Sequence, residues 1–389
     1  MLPTVVFLAP TIRSGSGGVA DYCQRLREVL VGEGFACHLA SWNEKGGGED
    51  APDASGMQDL FLGDAASARE KCARLGLYLD RCQAGWISLQ FVNFGFARRG
   101  IIPGLAAGLR AAVGARRCQI FLHELWVGAH RRAGTREKVL GAVQKRQLLH
   151  LLATLRPEAL WTSNDFYQRQ LAEAGVDAEV VPIFGNFPLT EKRMDAAILR
   201  QLKNSPALGD HGKYLLVGLF GSIDCEWPFR TVVPRLQRFA GSRTLAFIFF
   251  GRNGDCRALQ TYFDSLPRTE WLSLGEVSAD EVDSVMNSMD LAVATTPAEG
   301  ISKSGSAVAF LERGLPTVAL ASNPGMSNAP GTSRPNLVLV DDDLERNLAR
   351  IGSERNRQAL LPSVAQRYIQ LFRSSARDAA VGSRPPLSP

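Results

Sequence analysis

Three stretches of this 389-residue chain combine residue types and spacings able to do chemistry. The first is TIRSGSGGVA at 11–20, directly after the apolar run TVVFLA. Gly15, Gly17 and Gly18 let a backbone approach a ligand closely, and the helix start beyond them offers free N–H groups to an anion. The spacing is not the dinucleotide fingerprint: no third glycine stands at the expected offset, and Glu44, the nearest acid after the next apolar run, lies in a polar loop. The second stretch is HELW at 123–126. A histidine that ends a strand, as His123 does, is placed to hydrogen-bond a polar ligand, although a structural histidine satisfied by backbone would look the same. The third runs from Asp290 through Glu299 and Gly300 to the turn KSGS at 303–306, then to GLPTV at 314–318. Its helix start offers N–H groups and a positive dipole end, and Ser304 and Ser306 add hydroxyls. Ser302 or Ser304 would equally serve as an ordinary helix cap. Lys303 works against the dipole, so a bound anion explains it better than local helix stability does.

These pieces need strands and helices to hold them. Short apolar runs at 4–9, 36–40, 86–92, 118–123, 159–163 and 179–182 read as strands, with helical runs at 19–31, 101–113, 136–155 and 165–174 between them. That alternation predicts a parallel sheet covered by helices on both faces. The charged, proline-bearing stretch 185–213 breaks the rhythm. It restarts with strands expected at 214–220, 245–250, 271–274, 291–294, 317–320 and 337–340. The helices between them fall at 229–239, 256–266, 279–286 and 302–313, with a last one at 363–374. In such sheets ligands bind beyond the carboxyl ends of the strands, where all three stretches lie.

Composition narrows the classes. At 45% hydrophobic and 21% charged residues the chain is neither disordered nor fibrous. No apolar run approaches membrane-spanning length, and the N-terminus reads as a first strand rather than a signal peptide. Seven scattered cysteines without a CxxC pair argue against a disulfide framework or zinc site and for a reducing cytosol. The acids Asp341, Asp342 and Asp343 read as a helix start rather than a metal cluster. Residues 98–146 hold eleven Lys/Arg against two acids, a local +9 that leaves −4 for the rest of a chain whose formal net charge is +5. Such a segment favours an anionic partner, or is a set of solvated helix faces.

The order of these motifs, together with VPIFGN at 181–186, FFG at 249–251 and LGEVS at 274–278, resembles the GT-B-fold retaining glycosyltransferases, family four in particular. The likeness runs from about residue 4 to 375. It implies two α/β, Rossmann-like domains facing across a cleft: 1–187, then a linker 188–212, then 213–362, with helix 363–375 packing back on the first domain and 378–389 a flexible tail. It also implies retaining transfer of a sugar from a nucleoside-diphosphate-sugar to a glycan or glycolipid acceptor, with no cofactor and no metal. His123 and Glu299 match catalytic positions that contact the transferred sugar. Gly17, Gly18, Gly221 and Ser222 match donor-binding loops, joined here by Lys303, Ser304 and Gly305. Two departures stand out. The second glutamate of the E-x7-E motif is replaced, Ala307 or Ala309 standing in its place, and FGSIDCEW at 220–227 lacks the phosphate-binding Arg and Lys. A nucleotide-binding protein without transfer activity and a sugar-nucleotide epimerase on the same fold are the alternatives. The expected setting is cytoplasmic, with weak contact to an anionic membrane surface and no nucleic acid. Truncation of Lys303 is expected to weaken diphosphate binding by roughly 2–5 kcal/mol, the loss for a buried charge pair.

Overall fold

The computed structural model describes residues 2–46, 58–128, 134–199, 201–202, 213–321, 334–351 and 355–378. The chain divides into two compact units, one made of Met1–Pro182 and Leu361–Pro389, the other of Ile183–Leu360.

The first unit carries strands β1 (Thr4–Ala9), β2 (Cys37–Ser41), β3 (Leu60–Phe61), β4 (Ala84–Phe91), β5 (Arg117–Leu122), β6 (Ala159–Thr162) and β7 (Glu179–Val180). They form one parallel sheet in the order β3-β2-β1-β4-β5-β6-β7. The near-continuous burial of β1, β2 and β4 fits a sheet covered on both faces. One face packs against helices Ala68–Arg81, Leu105–Val113 and Thr135–Leu155 through Leu75, Leu79, Leu109 and Leu148. The other is covered by helix Gly18–Gly32 and the terminal helix Leu361–Asp378. Phe372 of that helix is fully buried among Phe7, Phe35 and Trp86, and Tyr368 meets Trp161 edge-on with ring centroids 4.7 Å apart.

The second unit carries β8 (Tyr214–Phe220), β9 (Thr244–Phe250), β10 (Thr269–Ser273), β11 (Leu291–Val293), β12 (Thr317–Ala319) and β13 (Leu337–Leu339), all parallel in the order β10-β9-β8-β11-β12-β13. Each sheet therefore reverses its winding direction once, between β1 and β4 and between β8 and β11. These switch points are where an open α/β sheet leaves room for a ligand.

Three readings of the sequence change. The helix expected over 302–313 is two pieces, a tight 3-10 turn Ala298–Lys303 and helix Gly305–Glu312, broken at Ser304 in an extended conformation. Residues 188–212, expected as a linker, belong in their described part to the second unit. Thr190 bonds Asp283, the Asn287 amide donates to the Thr190 and Lys192 carbonyls, and the Met194 N–H reaches Ser288. Helix Ala68–Arg81 escaped the periodicity reading because only Cys72, Leu75, Tyr78 and Leu79 of its fourteen residues are buried.

Candidate functional site

In the first unit the loop after β1 is fixed by groups distant in sequence. The Glu44 carboxylate accepts the Ile12 N–H at 2.7 Å and the Arg13 N–H at 3.3 Å, and Asp21 accepts the Gly15 N–H at 2.7 Å. Glu44 thus spends its charge on the loop itself. A Cβ on Gly17 would meet only Thr11 Oγ1, at 4.0 Å, and its backbone is extended. Neither sterics nor conformation requires glycine there, so what Gly17 keeps open is space above the backbone. Gly18 begins helix Gly18–Gly32 beside it.

His123 follows β5, its backbone N–H held by the Phe91 carbonyl. Its ring stacks on Phe121 at 4.4 Å and meets Tyr22 edge-on at 5.2 Å. Burial pushes the imidazole down to about 3, so it is neutral at physiological pH. Nε2 lies 2.8 Å from Gln90 Oε1, and the Gln90 amide N–H groups donate to Ser88 Oγ and the Tyr368 hydroxyl. With the Gln90 nitrogen so committed, its oxygen must accept, which makes Nε2 the protonated nitrogen and Nδ1 the acceptor. Tyr22 completes the chain by donating to Tyr368 at 3.4 Å. Burial raises both phenols, so they stay protonated. The sequence reading put His123 at a strand end, where it lies, and missed the side chains around it. Their signal was present: Ser88 and Gln90 put polar atoms at alternate positions of an otherwise apolar central strand, where a buried polar group needs a partner.

In the second unit the loop after β8 turns at Gly221, whose φ of +74° favours glycine. Asn253 clamps it, donating to the Gly221 and Phe250 carbonyls at 3.0 and 2.9 Å. Across the switch point, Thr295 Oγ1 accepts the Asp224 N–H at 3.0 Å, and a Cβ on Gly221 would stand 3.7 Å from Ser306. Phe220, Ser222, Thr295, Thr296, Ser306 and Phe310 line a pocket here, with about 10 Å³ open to the centre of a water-sized sphere. That holds about one water or one phosphate oxygen, far below the ~300–1,000 Å³ of a whole ligand site. The pocket is an anchoring corner, and the bulk of any ligand lies outside it.

Helix Gly305–Glu312 begins at this corner. Ser304 is its cap: Oγ accepts the Ala307 N–H at 3.4 Å and lies 3.4 Å from Thr296 Oγ1 and 3.2 Å from Ser306 Oγ. Gly305 opens the first turn, and Lys303 and half-buried Glu299 sit in the preceding 3-10 turn, with Lys303 exposed. Lys303 is therefore one turn farther out than expected, before the cap rather than inside the helix. Ala307 and Ala309 are both buried in apolar clusters, so neither position points a small side chain at solvent where the missing glutamate would stand. The acid of this helix is Glu312, at its far end, where its two oxygens accept the Gly185 and Leu360 N–H groups at 2.7 Å each.

A larger hollow, about 540 Å³, opens at the amino-terminal edge of β5, lined by Arg110, Arg116, Arg117 and Arg156. Arg116 pairs with Asp80, and Arg117 pairs with Glu158 while lying 4.4 Å over the Trp86 ring. It lies at the amino ends of the first unit's strands, away from the carboxyl ends where open α/β sheets take ligands. Among the described residues no group of three or more His, Cys, Asp or Glu could hold a metal ion, and no helix is long and apolar enough to cross a membrane.

Two parallel-sheet Rossmann-like units in one chain are the parts of a GT-B fold. No protein-family model and no curated protein sequence matches the chain. Solved structures do, over nearly its whole length. A crystal structure of HepE from Anabaena in complex with UDP and glucose aligns with a TM-score of 0.54 at 15% identity, covering 96% of this chain and 100% of that one. The catalytic domain of starch synthase IV from Arabidopsis thaliana, bound to ADP and acarbose, aligns at 0.57 and 10% identity, covering 97% and 100%. A putative UDP-N-acetylglucosamine 2-epimerase from Listeria monocytogenes aligns at 0.56 and 10% identity, covering 97% of each chain. At these identities the likeness is one of fold.

Proposed function

We propose that the protein is a glycosyltransferase that moves a sugar from a nucleoside-diphosphate-sugar to a glycan or glycolipid acceptor with retention of configuration. The observation that carries the reading is the corner at the β8–β11 switch point. Hydroxyls of Ser222, Thr295, Thr296 and Ser306 converge there on a capped helix start. As the bond between sugar and diphosphate breaks, negative charge grows on the leaving phosphate. Preorganised N–H groups, the positive end of helix Gly305–Glu312 and Lys303 answer that charge. Gly221 gives the diphosphate backbone access, and Glu299 takes sugar hydroxyls. In the first unit Gly17 and Gly18 leave space for the donor, and His123 offers the transferred sugar a fixed neutral acceptor at Nδ1. The protein groups alone neutralise the diphosphate in this reading, with no metal and no bound cofactor.

The acceptor side belongs to the first unit. Helix Thr135–Leu155 exposes Val139 and Val143, one turn apart, beside exposed Arg136, Lys138 and Arg146. Apolar contacts ringed by cations suit a cytoplasmic anionic membrane surface carrying a glycolipid acceptor.

Thermal shift with UDP-, GDP- and ADP-sugars tests the donor assignment, because a selective ligand raises the melting temperature by mass action. One nucleotide class should stand out, and its sugar should appear on an acceptor. No shift with any of them would sink the reading. A second reading, donor binding without transfer, is favoured by the burial of Ala307 and Ala309. It predicts the same shift with neither transfer nor hydrolysis.

A further inference from the structure

Two thiols sit together on the loops that follow β8 and β9 of the second unit, and nothing in the proposed transfer uses them. Cys225, exposed, lies on the loop after β8; Cys256, buried, lies on the loop after β9. Their sulfurs are 3.4 Å apart, and both cysteines are free thiols. Cys256 Sγ donates to the Asn253 carbonyl at 3.3 Å, and the Asn253 side chain holds the Gly221 carbonyl at 3.0 Å. The pair is therefore three residues from Ser222 in one direction and one hydrogen-bonded residue from Gly221 in the other.

We propose that Cys225 and Cys256 are a redox-modifiable pair that closes to a disulfide and thereby resets the Gly221–Ser222 loop. The sulfurs need to approach by about 1.4 Å to reach the ordinary S–S length of about 2.05 Å, a movement the exposed loop residue Cys225 can supply. Asp224, Glu226 and Asp255 flank the thiols in sequence and disfavour an anionic oxidant, so the co-reactant is a small neutral one, a hydroperoxide. The Cys225 thiolate attacks one peroxide oxygen and becomes a sulfenic acid, with the other oxygen leaving as water once protonated. Cys256 then loses its proton and attacks the Cys225 sulfur, expelling the hydroxyl as a second water. Two thiols and one hydrogen peroxide give one disulfide and two waters, and the two electrons pass to the peroxide oxygens. Cys256 is buried and its thiol is pushed up to about 12, so exposed Cys225 meets the peroxide first and Cys256 follows as the resolving thiol; an external dithiol reduces the bond again. A pair of this kind in a reducing compartment is transient and sensing rather than structural.

That the reset weakens nucleotide binding rests on the donor site proposed above; the disulfide itself does not. The purified full chain is treated with hydrogen peroxide and digested without reduction. Mass spectrometry should find a peptide joining Cys225 to Cys256 with a loss of about 2 Da, reversed by dithiothreitol. Thiol titration of the denatured protein should fall from seven to five, since the chain has seven cysteines. Amide exchange across 221–227 should slow. Cys225→Ser should leave Cys256 reduced at the same dose. Seven surviving thiols, or Cys225 overoxidised to sulfinic acid with no cross-link, overturns the pair. In the second arm UDP, GDP and ADP are titrated against reduced and oxidised protein, and oxidation should weaken the tightest binder at least about fivefold. Equal affinity in both forms overturns the coupling to the loop. If the reduced protein binds none of the three, the donor reading falls while the mass result still decides the disulfide.

Discussion

His123 carries the most specific chemistry of any single residue here. Its ring is neutral, its tautomer is fixed through Gln90, and its burial removes it from titration near neutrality. His123→Ala should therefore lower transfer far more than donor binding, and the parent's pH–rate profile should lack a limb near the ordinary histidine value of about 6.5. Stability carries its own signature. The folded pKa lies below the unfolded one, so between about 6.5 and 3 the unfolded chain binds the extra proton and stability falls as pH falls. The slope is at most ~1.4 kcal/mol per pH unit. Denaturant unfolding of His123→Gln should lose this slope; an unchanged pH dependence would place the histidine's environment elsewhere. Tyr368→Phe removes the hydroxyl that accepts from Gln90 and Tyr22, and should cost roughly 1–3 kcal/mol for the buried donors left behind. Lys303 behaves differently. It is exposed before the cap, so the buried-pair figure does not transfer, and Lys303→Ala should weaken nucleoside-diphosphate binding only about two- to fivefold. Glu299→Gln should spare the free nucleotide and weaken the sugar-bearing donor. Isothermal titration of both variants with diphosphate and intact donor separates the two roles.

At the scale of elements, helix Gly305–Glu312 does two jobs at its two ends. Its start is capped by Ser304 at the corner; its end presents Glu312 to the segments by which the chain enters and leaves the second unit. Two N–H donors suit a carboxylate, and a Cβ on Gly185 would fall 2.3 Å from Glu312 Oε2. Glu312→Gln turns an amide toward an N–H donor and should cost roughly 1–3 kcal/mol, read as a lower denaturant midpoint with unchanged slope. Arg313, fully buried beside it and paired with Asp283, carries the charge balance of the same helix end. Much of this level was legible. Strands such as Thr4–Ala9 and Tyr214–Phe220 fall where the apolar runs put them, because a strand buried on both faces needs apolar residues throughout. Strand β3, two residues long, and helix Ala68–Arg81 were illegible because each buries too little to mark the sequence. The loops of the candidate site were legible as loops after strands, and the side chains that hold them were not. Glu44, Asn253 and Thr295 act across 32, 32 and 71 residues of sequence, and no local pattern announces such partners.

For the whole molecule, charge is the property with the clearest reach. The +9 of residues 98–146 belongs to the first unit, and among the described residues Arg98, Arg99, Arg110, Arg136, Lys138 and Arg146 are exposed. The protein should bind anionic vesicles at low salt and release them as the Debye length shrinks toward ~8 Å at physiological ionic strength. Val139→Asp should reduce that binding more than loss of one cation does, since Val139 supplies the apolar contact. Equal partitioning onto neutral and anionic vesicles would leave a set of solvated helix faces.

The discontinuity of the first unit bears on how the protein is made. Its sheet is synthesised before the second unit, yet the face holding Phe7, Trp86 and Trp161 is sealed by Tyr368 and Phe372, which are made only after that unit. The usual order, in which the N-terminal domain folds while the rest is still being translated, is therefore inverted. Nascent residues 1–182 carry an uncovered aromatic face for the time needed to make some 180 more residues, while 183–360 has its own cores and folds in the interval. A fragment of 183–360 should unfold cooperatively by itself. A fragment of 1–182 should aggregate unless a peptide of 361–378 is supplied in trans, and a soluble, cooperatively folding 1–182 would contradict this. The newborn chain should accordingly need a chaperone that holds aromatic surfaces, and truncation of helix Leu361–Asp378 should act as a folding lesion of the first unit.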